Sequence, residues 1–315
     1  MATSKPKTAA KKVAAKPKAA AAKKPVAKSK TVASKKPVAT VKLVAAPAKT
    51  KKVEKKGIFS GFFAKKYEDE SIMTVFKEPK FYGALIGEIV GVLLLTLVMF
   101  ALSFFGIYNA AIYVFAFIAI TVAVFAFSGA HLNPIITAGM MATRRVSVVR
   151  GVFYIIAQII GAWLGWAIFN AFFSLGGEAA VYAIPSMAEV AEGNFWLVTS
   201  VELFGAIVLG FFFARALAYK RSVFTFAAVV AGGLIGALMI GYIVSYAFLG
   251  LSNNYLFNPA VALMYQIFPT AGANFGEIVG GICSALATYA VFPMIGGVVG
   301  FYIADFASKL SGENN

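Results

Sequence analysis

The chain has almost nothing with which to make or break covalent bonds. It holds one cysteine, Cys283, and one histidine, His131. A single cysteine excludes an internal disulfide, and its apolar surroundings fit a small buried hydrophobe. A lone histidine with no second histidine and no neighbouring acid makes a poor metal site. No nucleophile, general base and metal ligand occur together, so the sequence argues against an enzyme and implies no cofactor.

Charge is also scarce, and unevenly shared. Charged residues form 13% of the chain, about half the usual proportion. Residues 1–56 carry 18 lysines against the single acid Glu54, while the remainder holds 11 basic and 12 acidic side chains. The net charge of +16 therefore belongs to the tail. Arginine is missing from residues 1–143, which with the frequent prolines opposes an amphipathic transit peptide. No short apolar core with a small-residue cleavage site opens the sequence, which opposes a secretory signal. Residues 1–56 contain no aromatic side chain, which removes base stacking and weighs against specific nucleic-acid binding.

What is abundant is hydrophobe, at 60% of residues with 30 Phe and 13 Tyr. Six apolar stretches approach the length of about 20 residues that a bilayer requires: 82–105, 109–127, 150–173, 195–218, 223–249 and 275–303. Two shorter pieces, 132–143 and 257–268, each open on Asn-Pro, at Asn133-Pro134 and Asn258-Pro259. The expected fold is an all-α membrane protein of six transmembrane helices plus two re-entrant half-helices. Residues 1–56 read as a disordered Lys/Ala/Pro-rich tail, 57–80 as a juxtamembrane segment, 81–307 as the membrane domain and 308–315 as a C-terminal tail.

Basic residues fall in alternate loops: Arg144, Arg145 and Arg150, then Lys220 and Arg221, then Lys309. Excess Lys and Arg mark cytoplasmic loops, so both termini are expected in the cytoplasm. The spans also repeat. Span one and span four each carry an early glutamate, Glu88 and Glu202, and each is followed, after one further span, by an Asn-Pro half-helix. A unit of three spans repeated once gives halves of opposite topology, about 81–173 and 195–307. Such inverted repeats with broken helices build sites at the membrane midplane.

The breaks have a physical requirement. Non-helical backbone at membrane depth must line water or lie buried in protein. Asparagine caps a helix, and proline suits its first position because its missing N–H would be unpaired there anyway. Two such half-helices would point their positive ends at each other, a field that repels cations, while two asparagine amides offer donors to a neutral molecule's oxygen.

The architecture, the stretch SGAHLNP with Thr137 four residues after its asparagine, the later FNPA, and Gln158 with Gly161 and Ala162 in span three resemble the aquaporin or major intrinsic protein family. The resemblance covers residues 81–307. It implies a homotetramer with one pore per subunit, passing water, with glycerol, ammonia or urea as the alternative solutes, in a plasma membrane or a bacterial inner membrane. It implies a central constriction at Asn133, Pro134, Ile135, Asn258, Pro259 and Ala260. It places His131 in the cytoplasmic vestibule, and makes Glu88 and Glu202 acceptors that hold the re-entrant loops. It also implies a selectivity filter of Tyr113, Tyr246, Tyr255 and Val261.

Two departures from the family's pattern stand out. Val261 occupies the position of the usual filter arginine, which removes a positive charge and several donors. Ile135 occupies the position of the usual alanine, where it would narrow the pore or push the half-helices apart. Ala262 replaces an acidic residue that often marks glycerol-conducting members. The intramembrane glutamates leave a coupled or gated transporter as a rival, and the two departures leave a non-conducting protein acting through its tail. The lysine-rich tail itself is expected to contact anionic lipid headgroups, an attraction of about 1 kcal/mol per basic residue near the surface.

Overall fold

The computed structural model describes residues 70–104, 110–175, 195–219, 221–247, 255–266 and 274–312. Expectations for the 1–56 tail, for residues 57–69 and for the loop between spans three and four lie outside the described residues. Helix α1, Ile72–Phe76, precedes α2, Pro79–Phe104. Proline sets its own φ and needs no donor at a helix start, so α2 begins on Pro79 rather than after it. Then come α3 (Ala110–Ser128), the short α4 (Pro134–Ala142) and α5 (Val148–Leu175). The second half has α6 (Phe195–Ala216), extended by a 3-10 turn at Leu217–Tyr219, then α7 (Val223–Ala247) and the short α8 (Pro259–Gln266). Its last span is compound: α9 (Phe275–Leu286), a π-helical turn at Ala287–Val291, and α10 (Phe292–Leu310).

Among the described residues six helical stretches, the last compound, are long and apolar enough to cross a membrane, with mean hydropathy from 1.8 to 2.6. Helices are the form an isolated segment must take in hydrocarbon, because they satisfy every backbone group internally. The packing is doubled: α2 lies mainly on α5 and α6 on α10, while α3 covers α2 and α7 covers α6. The half-helices cross over. α4 rests on α10 as well as α5, and α8 rests on α5, α2 and the π-helical turn. Each half therefore supplies the seat of the other's half-helix.

Close approach of the paired spans depends on glycine at equivalent places. A β-carbon on Gly161 or Gly165 of α5 would collide with the carbonyl oxygen of Ile89 or Leu93 on α2. In the second half, a β-carbon on Gly296 or Gly300 of α10 would meet the carbonyls of Leu203 and Ile207 on α6. Ile89 follows Glu88 directly, as Leu203 follows Glu202, so the two crossings match in register. Small residues that let backbones touch are a main source of helix association in membranes, where lipid is as apolar as the side chains.

At the start of the first span, Val75, Phe81 and Ala84 form a small apolar cluster with Tyr154 of α5. Phe76 and Phe81 meet Phe153 edge to face. A polar latch closes this cluster. Ser147 Oγ donates to Glu70 at 2.6 Å, and Arg150 pairs with both Glu70 and Glu78. Burial pushes the Glu70 carboxyl up, but the Ser147 hydroxyl and the Arg150 guanidinium together outweigh it and hold the carboxyl below the usual range. A group depressed in this way stabilises the fold above its unfolded pKa, and that contribution fades as pH falls through the folded pKa. Thermal melting should therefore drop more steeply from about pH 6 to about pH 3 in the wild type than in Glu70→Gln. Parallel slopes would show that the latch carries no such linkage.

Candidate functional site

The site is built where the two re-entrant loops meet, and it is constructed twice. Leu132, just before Asn133, takes φ 53°, and Phe257, just before Asn258, takes φ 45°. This left-handed region is rare and strained for side chains of that bulk. Three groups hold each residue there. The Leu132 N–H donates to Glu88 Oε2 at 2.7 Å, and its carbonyl accepts from Asn258 Nδ2 at 2.9 Å. The Phe257 N–H donates to Glu202 Oε2 at 3.2 Å, and its carbonyl accepts from Asn133 Nδ2 at 2.6 Å. The third hold is steric: the Leu132 side chain fills the space left by Gly91, and Phe257 that left by Gly205. Both glycines lie one helical turn after the glutamate of their half, as EIVG and ELFG.

The glutamates bind one further amide each. Glu88 Oε1 accepts from His131 N at 3.0 Å, and Glu202 Oε1 from Leu256 N at 2.9 Å. Both carboxyl groups are fully buried, yet they sit among donors, which is how a polar group at membrane depth is satisfied.

Beyond this frame the halves differ. In the first, Gln158 Nε2 donates to Glu88 at 2.7 Å and to Thr137 Oγ1 at 3.0 Å, and Thr137 also meets His131 Nδ1 at 3.2 Å. The His131 ring is packed edge to face against Tyr154 and Phe213. Among the described residues no group of three His, Cys, Asp or Glu is placed to hold a metal ion. In the second half Pro293 and Ala262 stand where the repeat would put Gln158 and Thr137, so Glu202 has its two backbone donors without that network. The asparagines differ too. Asn133 Oδ1 caps α4 by accepting from Ile135 N at 2.9 Å, whereas Asn258 Oδ1 is buried with no partner among the described residues.

The remaining sequence-derived positions spread around this junction. Pro134 and Pro259 open α4 and α8, both buried. Ile135, Ala260 and Val261 show no accessible surface, while Tyr113 on α3 and Tyr255 retain 5% and 6%. The Tyr255 ring stacks on Phe257 at 6.3 Å. Tyr246 belongs to α7 by its backbone, and its side chain lies outside the described residues. Ile135 packs against Gly297 of α10, a neighbour that its sequence position alone does not suggest. Gly91 and Gly205 were equally absent from the sequence reading, although the repeated spacing from each glutamate carried the signal.

Two half-helices meeting end to end inside an inverted pair of three-span bundles define a multi-pass membrane protein of channel architecture. The chain belongs to the major intrinsic protein family, whose model, "Major intrinsic protein", matches residues 75–304. It is 29% identical to Aquaporin TIP2-1 of Zea mays over 163 residues, 49% of this chain and 62% of that protein. It is 31% identical to Aquaporin-4 of Bos taurus over 157 residues, 46% of each chain. It is 36% identical to Glycerol uptake facilitator protein-like 6 of Lactiplantibacillus plantarum over 91 residues, 28% of this chain and 42% of that one. The matched region spans about half the length of these curated relatives. The fold is similar to that of the aquaglyceroporin from Plasmodium falciparum, with a TM-score of 0.51 and 17% identity, covering 73% of this chain and 97% of that one.

Proposed function

We propose that the protein is a passive channel for water and other small neutral solutes, with one pathway per subunit passing the junction of the two half-helices. One observation carries this reading. Asn133 and Asn258 each give an amide N–H to the opposite loop's carbonyl, and an amide has two such hydrogens. The second hydrogen on each side is left for a passing oxygen, held at a fixed angle by the first. Asn258 Oδ1, without a protein donor among the described residues, offers an acceptor to a solute's proton. The N-termini of α4 and α8 add positive potential at the same point, which favours neutral solutes over cations.

Val261 supports a broad rather than a strict solute range. An arginine there would add charge and donors, while valine is apolar and brings neither. In this reading the protein assembles as a homotetramer with both termini in the cytoplasm, and its lysine-rich tail lies on anionic lipid.

The test is an osmotic step on liposomes containing the purified full chain, followed by light scattering. Shrinkage faster than in empty liposomes is expected for water, with measurable glycerol and urea entry; rates equal to empty liposomes overturn the proposal. Val261→Arg is expected to depress glycerol and urea permeability relative to water. An unchanged solute order would remove Val261 from the filter.

A further inference from the structure

We infer that Gly297 and Gly210 are positioning residues matched to Ile135, and that this layer sets the depth at which α4 meets α8. The transport readout below rests on the channel reading; the contact itself does not.

Ile135 is fully buried on α4. A β-carbon on Gly297 would lie 2.5 Å from Ile135 Cγ2 and 2.6 Å from the Ile135 carbonyl oxygen. On the far side, a β-carbon on Gly210 of α6 would lie 2.5 Å from the Gly297 carbonyl oxygen and 3.0 Å from its Cα. The three shorter distances are closer than real β-carbons come to their neighbours, and the 3.0 Å contact is tighter than nearly all of theirs. Ile135, Gly297 and Gly210 therefore form a column across three helices in which two members have no side chain.

The inverted repeat supplies an internal control. The matched crossings pair Gly161 with Gly296 and Gly165 with Gly300, while the glutamates pair Glu88 with Glu202. In that register Gly297 corresponds to Ala162, Gly210 to Thr96 and Ile135 to Ala260. Ala162, Thr96 and Ala260 are all fully buried. One column thus distributes bulk as alanine, alanine and threonine, and the other as isoleucine, glycine and glycine. Bulk has moved from the spans to the half-helix. Protein interiors are packed as densely as organic crystals, so a side chain as large as isoleucine fits only where other carbons are removed.

The functional consequence follows from the neighbour two residues earlier. Asn133 reaches Phe257 O at 2.6 Å. A methyl group on Gly297 would press on the Ile135 Cγ2 methyl as well as on its carbonyl oxygen and drive α4 away from α10, and the first of these contacts is the one that Ile135→Ala relieves. That displacement would carry Asn133 with it, and a hydrogen bond lengthened by about 1 Å is lost. The isoleucine therefore neither plugs the junction nor splays the half-helices while Gly297 stays bare.

A double-mutant cycle on the full chain tests this, using wild type, Gly297→Ala, Ile135→Ala and the double variant. Thermal midpoint in detergent, water permeability per inserted protein and the water-to-glycerol ratio are read for each. Gly297→Ala alone is expected to lower water permeability by about tenfold and to shift the ratio, while the double variant returns to within about threefold of Ile135→Ala. Equal effects of Gly297→Ala in both backgrounds overturn the pairing. A lowered midpoint with an unchanged ratio overturns the positioning role and leaves only packing. If Gly297→Ala fails to fold, a folded double variant supports the pairing and an unfolded one overturns it. If wild-type liposomes shrink no faster than empty ones, the channel reading and the positioning role both fall, and the thermal cycle still decides the contact.

Discussion

Glu88→Ala is expected to yield a protein without a cooperative thermal transition. Its carboxylate accepts from His131 N, Leu132 N and Gln158 Nε2, all in buried surroundings. Each donor left without a partner costs about 1–3 kcal/mol. Even the lower bound for three donors is comparable with the roughly 5 kcal/mol that keeps a marginal domain folded. Leu132 would also lose one of the groups that hold its positive φ. Size-exclusion profile and thermal melting of the detergent-solubilised variant measure this directly. Glu88→Gln isolates the hydrogen-bonding part, because the shape is kept while one oxygen becomes an NH2 that faces a donor. It should fold with a loss of about 1–3 kcal/mol. A Glu88→Gln protein that melts like wild type would show that the loop is held by something other than the carboxylate.

The asparagines are expected to be unequal. Asn133→Ala removes the cap on Ile135 N and orphans the Phe257 carbonyl, whereas Asn258→Ala orphans only the Leu132 carbonyl among the described residues. The lost cap is worth about 1 kcal/mol, and the orphaned carbonyl about 1–3 kcal/mol in each case. Asn133→Ala should therefore melt below Asn258→Ala. In the proposed channel both should lose water permeability by about tenfold or more, since either removes an orienting donor. Equal melting of the two variants would contradict the asymmetry of the caps. Undiminished water flux in both would place the pathway elsewhere.

Much of this was legible in the residues because the membrane restricts the choices. An Asn-Pro inside an apolar run has few physical explanations, and both breaks became half-helices starting on Pro134 and Pro259. The span limits were close, though α5 and α10 extend beyond the apolar runs, to Val148 and Leu310. Hydropathy marks where lipid ends, and a helix need not stop there. Less legible was anything decided by contact across the fold. The sequence offered two outcomes for Ile135, a narrowed pore or separated half-helices, because its partner Gly297 belongs to the last span and carries no side chain to attract notice. Val261 was a filter position only as the family resemblance implies it, and its complete burial depends on how α8 is seated among α5, α2 and the π-helical turn. The latch of Glu70 with Ser147 and Arg150 was invisible for the same reason, since its members come from separate elements.

The exchange of seats between the half-helices also constrains how such a chain is made. α4 is synthesised well before α10, on which it rests. The Leu132 carbonyl and the Asn133 amide wait for Asn258 and Phe257, which appear late as well. Until then those two groups lack their partners, although Glu88, made earlier, is already there to hold the loop's N–H groups. The first half is therefore not complete until α10 of the second has been made.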